Sequence, residues 1–171
     1  KELFEYLNQL EFHGDANLLA SLISSHIFKT YYEKFKRKDK ALKEYFNYKI
    51  TLTNIKTFLR VNKLGLDNNF LMSNLIDLGN IKIKEFIEMS HLSNNTIATR
   101  LSNYFYNKDG NAFSNYFIDY DLSEVNEVLD KLFLEQVKSL DLNEDTLGPV
   151  LYYLERVKLQ IIKIKEIYYK I

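Results

Sequence analysis

Cysteine is absent from the 171 residues, so the chain can hold no disulfide and no thiolate ligand or nucleophile, and a reducing compartment suits it. One proline and five glycines leave few breaks, which favours long helices over the frequent turns of an all-β fold. No uninterrupted run of about 18 apolar residues occurs, so no bilayer-spanning helix is expected. With Glu2 and Glu5 among them, the first residues do not form a signal peptide. Net charge is lacking too: 23 basic and 23 acidic residues cancel, and no global field draws the chain toward nucleic acid or an anionic membrane. The balance fails locally. Residues 29–63 carry eleven Lys or Arg against three acids, and residues 119–145 carry nine acids against two Lys. Solvated helix faces that pair with each other account for this first, and a polarised surface for a partner second.

What is present is an apolar fraction of 46% with 27% charged, ordinary for a soluble globular chain with one good core or two small ones. Near the end, Val150, Leu154, Val157, Ile161, Ile164, Tyr168 and Ile171 step by three and four residues, the stripe of a long amphipathic helix. Shifted back by 109 positions, the same stripe falls on Ala41, Tyr45, Tyr48, Leu52, Ile55, Leu59 and Asn62. Leu42 then matches Leu151, Lys49 matches Lys158, Ile55 matches Ile164 and Lys56 matches Lys165. One structural unit used twice is the expectation.

Helices are expected over 1–10, closed by His13 and Gly14, and over 16–37, opened by Asp15 with Leu19, Leu22, Ile23, His26, Ile27 and Tyr31 on its buried face. After a hinge at 38–40 comes the first long helix, 41–63, closed by Gly65 in a left-handed conformation. Shorter helices follow over 70–76, 82–90 and 91–104, separated by Gly79-Asn80 and by His91-Leu92-Ser93. Asn107-Lys108-Asp109-Gly110 is the clearest loop, 113–117 a turn of helix, and 121–123 the start of another long helix carrying Val125, Leu129, Leu132, Phe133 and Val137. A polar break at 141–146 precedes Gly148-Pro149, which opens the last helix because proline is tolerated in the first turn. Lys1 is not an initiator Met and Ile171 lies inside an unfinished stripe, so the chain reads as a piece of something longer.

Chemistry is sparse. His13, His26 and His91 do not fall at helical ligand spacing; His26, on an apolar face, reads as a hydrogen-bonded core imidazole rather than a ligand or catalyst. The glycines stand singly at helix ends, with no phosphate-binding loop among them. Glu124 and Glu127, one turn apart, read as a solvated face rather than an acid–base pair. Lys34, Lys36, Arg37, Lys38 and Lys40 interleave with Tyr31, Tyr32 and Phe35, a pattern single-stranded nucleic acid could use, but Glu33, Asp39 and Glu44 among them argue against it. The thirteen tyrosines fall mostly on helical stripes, where a ring is buried with its hydroxyl at the rim.

The run from Tyr48 through Asn54, Ile55, Lys56 and Arg60 to Gly65 resembles the repeated Asp-x-x-Asn-Ile-Lys-x-x-Leu-Arg helix of the C-type stalk component of V-type and archaeal-type rotary ATPases, the relative of the d component of the eukaryotic vacuolar enzyme. Leu78-Gly79-Asn80-Ile81 is similar to the turn that follows it, and Leu129-Asp130-Lys131 through Gly148-Pro149 to Tyr153 and Leu154 is similar to the family's last repeat, with Ile164 in its stripe helix. The family's Asp is Thr51 here, and positions usually acidic or Asn are Lys158, Gln160 and Lys163. The resemblance implies an all-α fold of helical repeats, with residues 1–107 as a middle repeat and 108–171 as the start of the last one. It implies a non-catalytic central-stalk subunit that couples the ATP-hydrolysing head and its shaft to the membrane rotor ring for proton or sodium-ion transport. Its partners would be the shaft subunits and the ring, with peripheral attachment at the cytoplasmic face, no nucleic acid, no cofactor or metal and no small-molecule ligand. A helical-repeat adaptor for protein partners, unrelated to rotary machines, is the alternative.

Overall fold

The structure, a computed structural model, describes residue 5 and residues 16–141 and 146–169. The described residues form eight helices and no strand, so the fold is all-α. In chain order the helices are α1 (Ala16–Phe35), α2 (Lys40–Leu64), α3 (Asn68–Asn74), α4 (Ile83–Ser90), α5 (Asn94–Tyr104), α6 (Ala112–Asp119), α7 (Ser123–Asp141) and α8 (Gly148–Tyr169). Apart from residue 5, the expected helix over 1–10, its stop at His13-Gly14 and the Asp15 cap lie outside the described residues, as do residues 142–145 of the polar break expected at 141–146.

Short polar side chains set the helix starts by satisfying amides that have no partner inside the helix. Asp39 accepts from the Leu42 amide at 2.8 Å and so turns the hinge into a capped start for α2. Asp67 does the same for α3 through Phe70 at 2.8 Å, two residues earlier than the apolar pattern suggests. Ser93 caps α5 through the Thr96 amide at 3.4 Å. Gly65 closes α2 at φ 63°, returning its own amide to Asn62.

Helix α2 runs through the middle of the fold, packed against α1, α3, α7 and α8, while α1–α2 and α7–α8 form helical hairpins. Its Ile55, Phe58, Leu59 and Val61 join Leu18 and Leu22 of α1, Phe86 of α4, Leu101 of α5, Tyr116 of α6 and Leu129 of α7 in one apolar core. A smaller cluster of Tyr32, Ile50 and Ile76 seals the other end of the α1–α2 hairpin. The main core draws on residues from both sides of the loop at 107–110.

Three expected faces differ from the observed ones. On α1 the buried residues are Leu18, Leu22, Ser25 and Tyr32, whereas Leu19, Ile23, His26 and Ile27 are half-buried and Tyr31 is exposed. Apolar residues cover more than one face of this helix, so periodicity misplaces the centre of the packed face by about one residue. On α2 the expected stripe is too narrow, because a helix with neighbours all round is buried all round: Thr51, Thr53, Asn54 and Thr57 are inside together with Ile50 and Phe58. On α8 the expected stripe points outward. Val150, Leu154, Ile161, Ile164 and Tyr168 are exposed, Val157 is half-buried and Ile171 lies outside the described residues, while the other residues that lose exposure include Leu151, Tyr152, Glu155, Leu159 and Ile162. That second set also steps at helical spacing, but Glu155 interrupts it, which made the outward stripe the more continuous of the two.

Candidate functional site

The residues of the Asn-Ile-Lys helix divide between a structural staple and a charged seam. Asn54 is fully buried and grips the connection after α3: its amide donates to the Ile76 carbonyl at 2.9 Å and lies 3.5 Å from that of Leu78, while its carbonyl accepts from the Ile76 amide at 3.1 Å. A side chain that satisfies both a buried N–H and a buried C=O makes this chain path specific. Ile55, on the next position, is in the core. At the position where the resembled motif carries Asp, Thr51 donates to the Asn47 carbonyl at 2.9 Å and accepts from the Asn80 amide at 2.8 Å. Gly79 makes that approach possible: its φ is 95°, and an added Cβ would sit 2.8 Å from the Thr51 hydroxyl and 3.2 Å from its amide nitrogen.

Lys56 and Arg60 turn the other way, toward α7 and α8. Lys56 pairs with Asp130 at 3.8 Å, and burial, ahead of all else, lowers its pKa; Asp130 opposes this and Arg60 and Lys158 add to it. Two turns earlier, Lys49 meets Glu155 of α8 at 3.1 Å with its ammonium 3.9 Å from the Phe133 ring centroid. Burial is the largest influence on Lys49, bringing it down to about 8, with Glu155 pulling it up and Lys158 pushing it down. Glu155 also accepts from the Tyr45 hydroxyl and lies 3.7 Å from Lys158. Burial works to raise its pKa, but Lys49, Tyr45 and Lys158 outweigh burial and hold the carboxyl below its ordinary value. Tyr45 is pushed well above a free phenol, by burial first and then by its bond to Glu155 and that group's charge.

The start of α8 is tied to the start of α2. Asp39, which caps α2 with one carboxylate oxygen, accepts from the Leu147 amide at 3.2 Å with the other. Gly148 is buried against the end of α7, where an added Cβ would lie 1.8 Å from the Leu140 carbonyl oxygen. Pro149 follows in the first turn, half-buried. Tyr153 and Ile164, by contrast, are 66% and 65% exposed, on the outward face of α8.

The structure thus joins Lys56, Arg60 and Asp130 in one seam, and places Asn54, Gly79 and Ile55 in the packing behind it. Lys49, Tyr45 and Glu155 belong to the seam as well. The available signals were the lysine pair Lys49 and Lys158 in the 109-position repeat and an acid, Glu155, inside an otherwise apolar helical spacing. Elsewhere, the aromatic residues of the basic stretch are engaged with one another: the rings of Tyr31, Phe35 and Phe46 stack with centroids 5.9 to 6.4 Å apart. Tyr32 is buried against Ile50 and Ile76. Glu127 pairs with Lys131 at 2.7 Å and Glu124 accepts from Asn115 at 2.9 Å, as solvated helix faces do. His91 is exposed, 3.1 Å from the Asn68 amide, and His26 is half-buried; His13 lies outside the described residues. Among the described residues no three His, Asp or Glu side chains gather as a metal would need, and no helix is long and apolar enough to cross a membrane.

No curated protein and no solved structure matches the chain. A family model described as ATP synthase (C/AC39) subunit matches residues 1–168. With nearly its whole length matched, and with the Asn54-Ile55-Lys56 helix built into the centre of an all-α fold, the chain belongs to the ATP synthase (C/AC39) subunit family.

Proposed function

We propose that this protein is a non-catalytic central-stalk subunit of a rotary V-type ATPase or ATP synthase, transmitting torque between the shaft of the ATP-hydrolysing head and the membrane rotor ring. The family match over residues 1–168 carries this reading. The architecture supports it in physical terms. A torque-bearing part needs stiff elements with fixed joints, and the 25-residue α2 is held along its length by four neighbouring helices and locked to α8 by the Tyr45–Glu155–Lys49 contacts and by Asp39. It also needs surfaces for neighbours. The outward face of α8 offers Val150, Leu154, Ile161, Ile164 and Ile167 to solvent, apolar area of the kind that marks a protein contact. In this reading residues 1–107 are one helical repeat and 108–171 the start of the next, attached peripherally on the cytoplasmic side through the ring. The motif residues act as joints between helices, not as ligands for substrate.

Affinity purification of the complex through a tagged full-length version tests the proposal. Shaft and rotor-ring subunits are expected to co-purify, and removal of the protein is expected to leave ATP hydrolysis by the head while abolishing ion transport. Recovery of neither shaft nor ring subunits would overturn it, as would ATPase activity of the isolated chain.

A further inference from the structure

The inner side of α8, with Leu151, Leu159, Ile162 and the buried Glu155, rests on α7 and touches α2. At about 100° per residue, its remaining apolar positions form an outer arc of about 140°, from Ile167 round to Leu154. Gln160 is the only member of that arc that is neither apolar nor aromatic. Ile161 is 48% exposed, Ile164 65% and Ile167 66%, and Tyr153 and Tyr168 are exposed with them. Cations border the arc on both edges, Lys158 and Lys165 beside Leu154, Arg156 and Lys163 beside Ile167. The acidic positions of the helix, 155 and 166, fall on the opposite side by register.

We propose that this outer face of α8 docks on an anionic lipid membrane, the helix lying along the headgroup region. An apolar arc edged by cations is the pattern of a helix that rests on a membrane surface. Charge complementarity supplies the sign: residues 148–171 hold five Lys or Arg against two acids, with both acids counted in full. Two of the edge cations already have acids near them, Glu155 at 3.7 Å from Lys158, and near Lys163 the α7 residue Glu127, itself paired with Lys131. The whole chain is neutral, so the attraction is local to this helix. Lysine and arginine stems can lie along the apolar edge while their heads reach lipid phosphates, and tyrosine rings suit the same boundary with their hydroxyls in water. The width of the arc separates a lipid surface from a partner helix. The heptad positions alone, Val150 to Tyr168, make a seam of about 80°, which one helix would cover; Tyr153 and Ile167 widen the apolar face beyond it. Among the described residues no helix is long and apolar enough to cross a membrane, so the contact is with its surface. This lipid contact deepens the peripheral attachment proposed above and rests on that reading for its place in the cell, whereas binding to vesicles does not.

Sedimentation of the 171-residue chain with sucrose-loaded vesicles, of phosphatidylcholine alone or mixed with phosphatidylglycerol, tests the face. Binding to the mixed vesicles is expected, and binding to phosphatidylcholine alone should be more than tenfold weaker. Lys163→Gln with Lys165→Gln should weaken binding to the mixed vesicles about thirtyfold, two surface lysines' worth. Ile161→Ser with Ile164→Ser should weaken it more than tenfold by removing inserted apolar area. Lys40→Gln with Lys84→Gln removes the same charge from exposed ion pairs on α2 and α4 and should change binding less than about twofold. Circular dichroism checks the folding of each variant; all four α8 side chains are exposed, so their loss should leave the fold intact. Absence of binding to the mixed vesicles overturns the proposal, as does equal binding to phosphatidylcholine alone or an equal loss in the Lys40 and Lys84 variant. So does a chain that pairs with a second copy through Ile161 and Ile164 in the ultracentrifuge and stays off the vesicles. Failure here leaves the co-purification of shaft and ring subunits to be judged by itself, and failure of that co-purification leaves vesicle binding standing.

Discussion

The two long helices carry the same apolar register and live in opposite surroundings. Ile55 of α2 is fully buried, and its counterpart Ile164 of α8, 109 positions on, is 65% exposed; Leu59 is fully buried and Tyr168 is exposed. Stripe for stripe the sequences agree, yet α2 is enclosed by four helices whereas α8 rests on α7 and touches α2 along one side. A repeated hydrophobic pattern therefore identifies which face a helix can bury without showing that a neighbour covers it in both copies. Whether a stripe lies inside depends on the number of elements around it, which is a property of position in the fold.

The sharpest break of this comparison is a matched pair of truncations. Ile55→Ala removes methyl groups from a packed core and is expected to destabilise the chain by about 2 to 5 kcal/mol in urea unfolding. Ile164→Ala is expected to stay within about 0.5 kcal/mol, as exposed substitutions do. Equal losses would mean that the outward stripe is covered in solution and that the two copies are alike after all.

Asn54 sharpens the contrast on the polar side. Nothing in α8 corresponds to its grip on Ile76 and Leu78, because the equivalent position, Lys163, is exposed. Asn54→Ala leaves the Ile76 amide without its partner, while the Ile76 carbonyl keeps the Leu78 amide at 2.7 Å, and is expected to cost about 1 to 3 kcal/mol by the same measurement, whereas Lys163→Ala costs little. A negligible loss for Asn54→Ala would show that the connection after α3 is held by its apolar contacts alone.

Much of this was legible in advance. Helix boundaries were, because Asp39, Ser93, Gly65 and Gly148-Pro149 are local signals that act within one turn. Asn54 was legible as part of a motif, though its partners, Ile76 and Leu78, lie more than twenty residues away and no local rule joins them. The seam was hidden for a different reason. Glu155 is 7% exposed, and a buried carboxylate breaks the apolar pattern that periodicity follows, so the packed side of α8 looked like the wet side. Its pairing with Lys49 and Tyr45 supplies the compensation that periodicity cannot register.

The seam gives the comparison a pH signature. Lys49 titrates near 8 in the folded chain against an ordinary 10.5, so between those values the unfolded chain binds more protons and stability rises with pH. Tyr45 is held above its ordinary 10.0, so beyond that pH the folded chain keeps a proton the unfolded one loses, and stability falls. Denaturation midpoints are therefore expected to climb from about pH 8 to pH 10, by on the order of 1 kcal/mol in stability, before dropping. Lys49→Met should shrink the climb, with Lys56 supplying what is left, and preserve the drop. A climb unchanged in that variant would remove Lys49 as its source.

The smallest effect on the free chain has the largest meaning for assembly. Serine at Leu154, Ile161 and Ile164 together is expected to shift the urea midpoint barely at all, since all three side chains are already exposed in the folded chain, and to reduce self-association at high concentration in light scattering. If α8 presents this face to another subunit, the same triple variant is expected to fall out of the purified rotary complex while Lys84→Ser, on the exposed side of α4, remains in it. Retention of the triple variant would separate the two long helices for good: α2 would be the structural rod, and α8 a helix whose exposed stripe takes no part in the assembly.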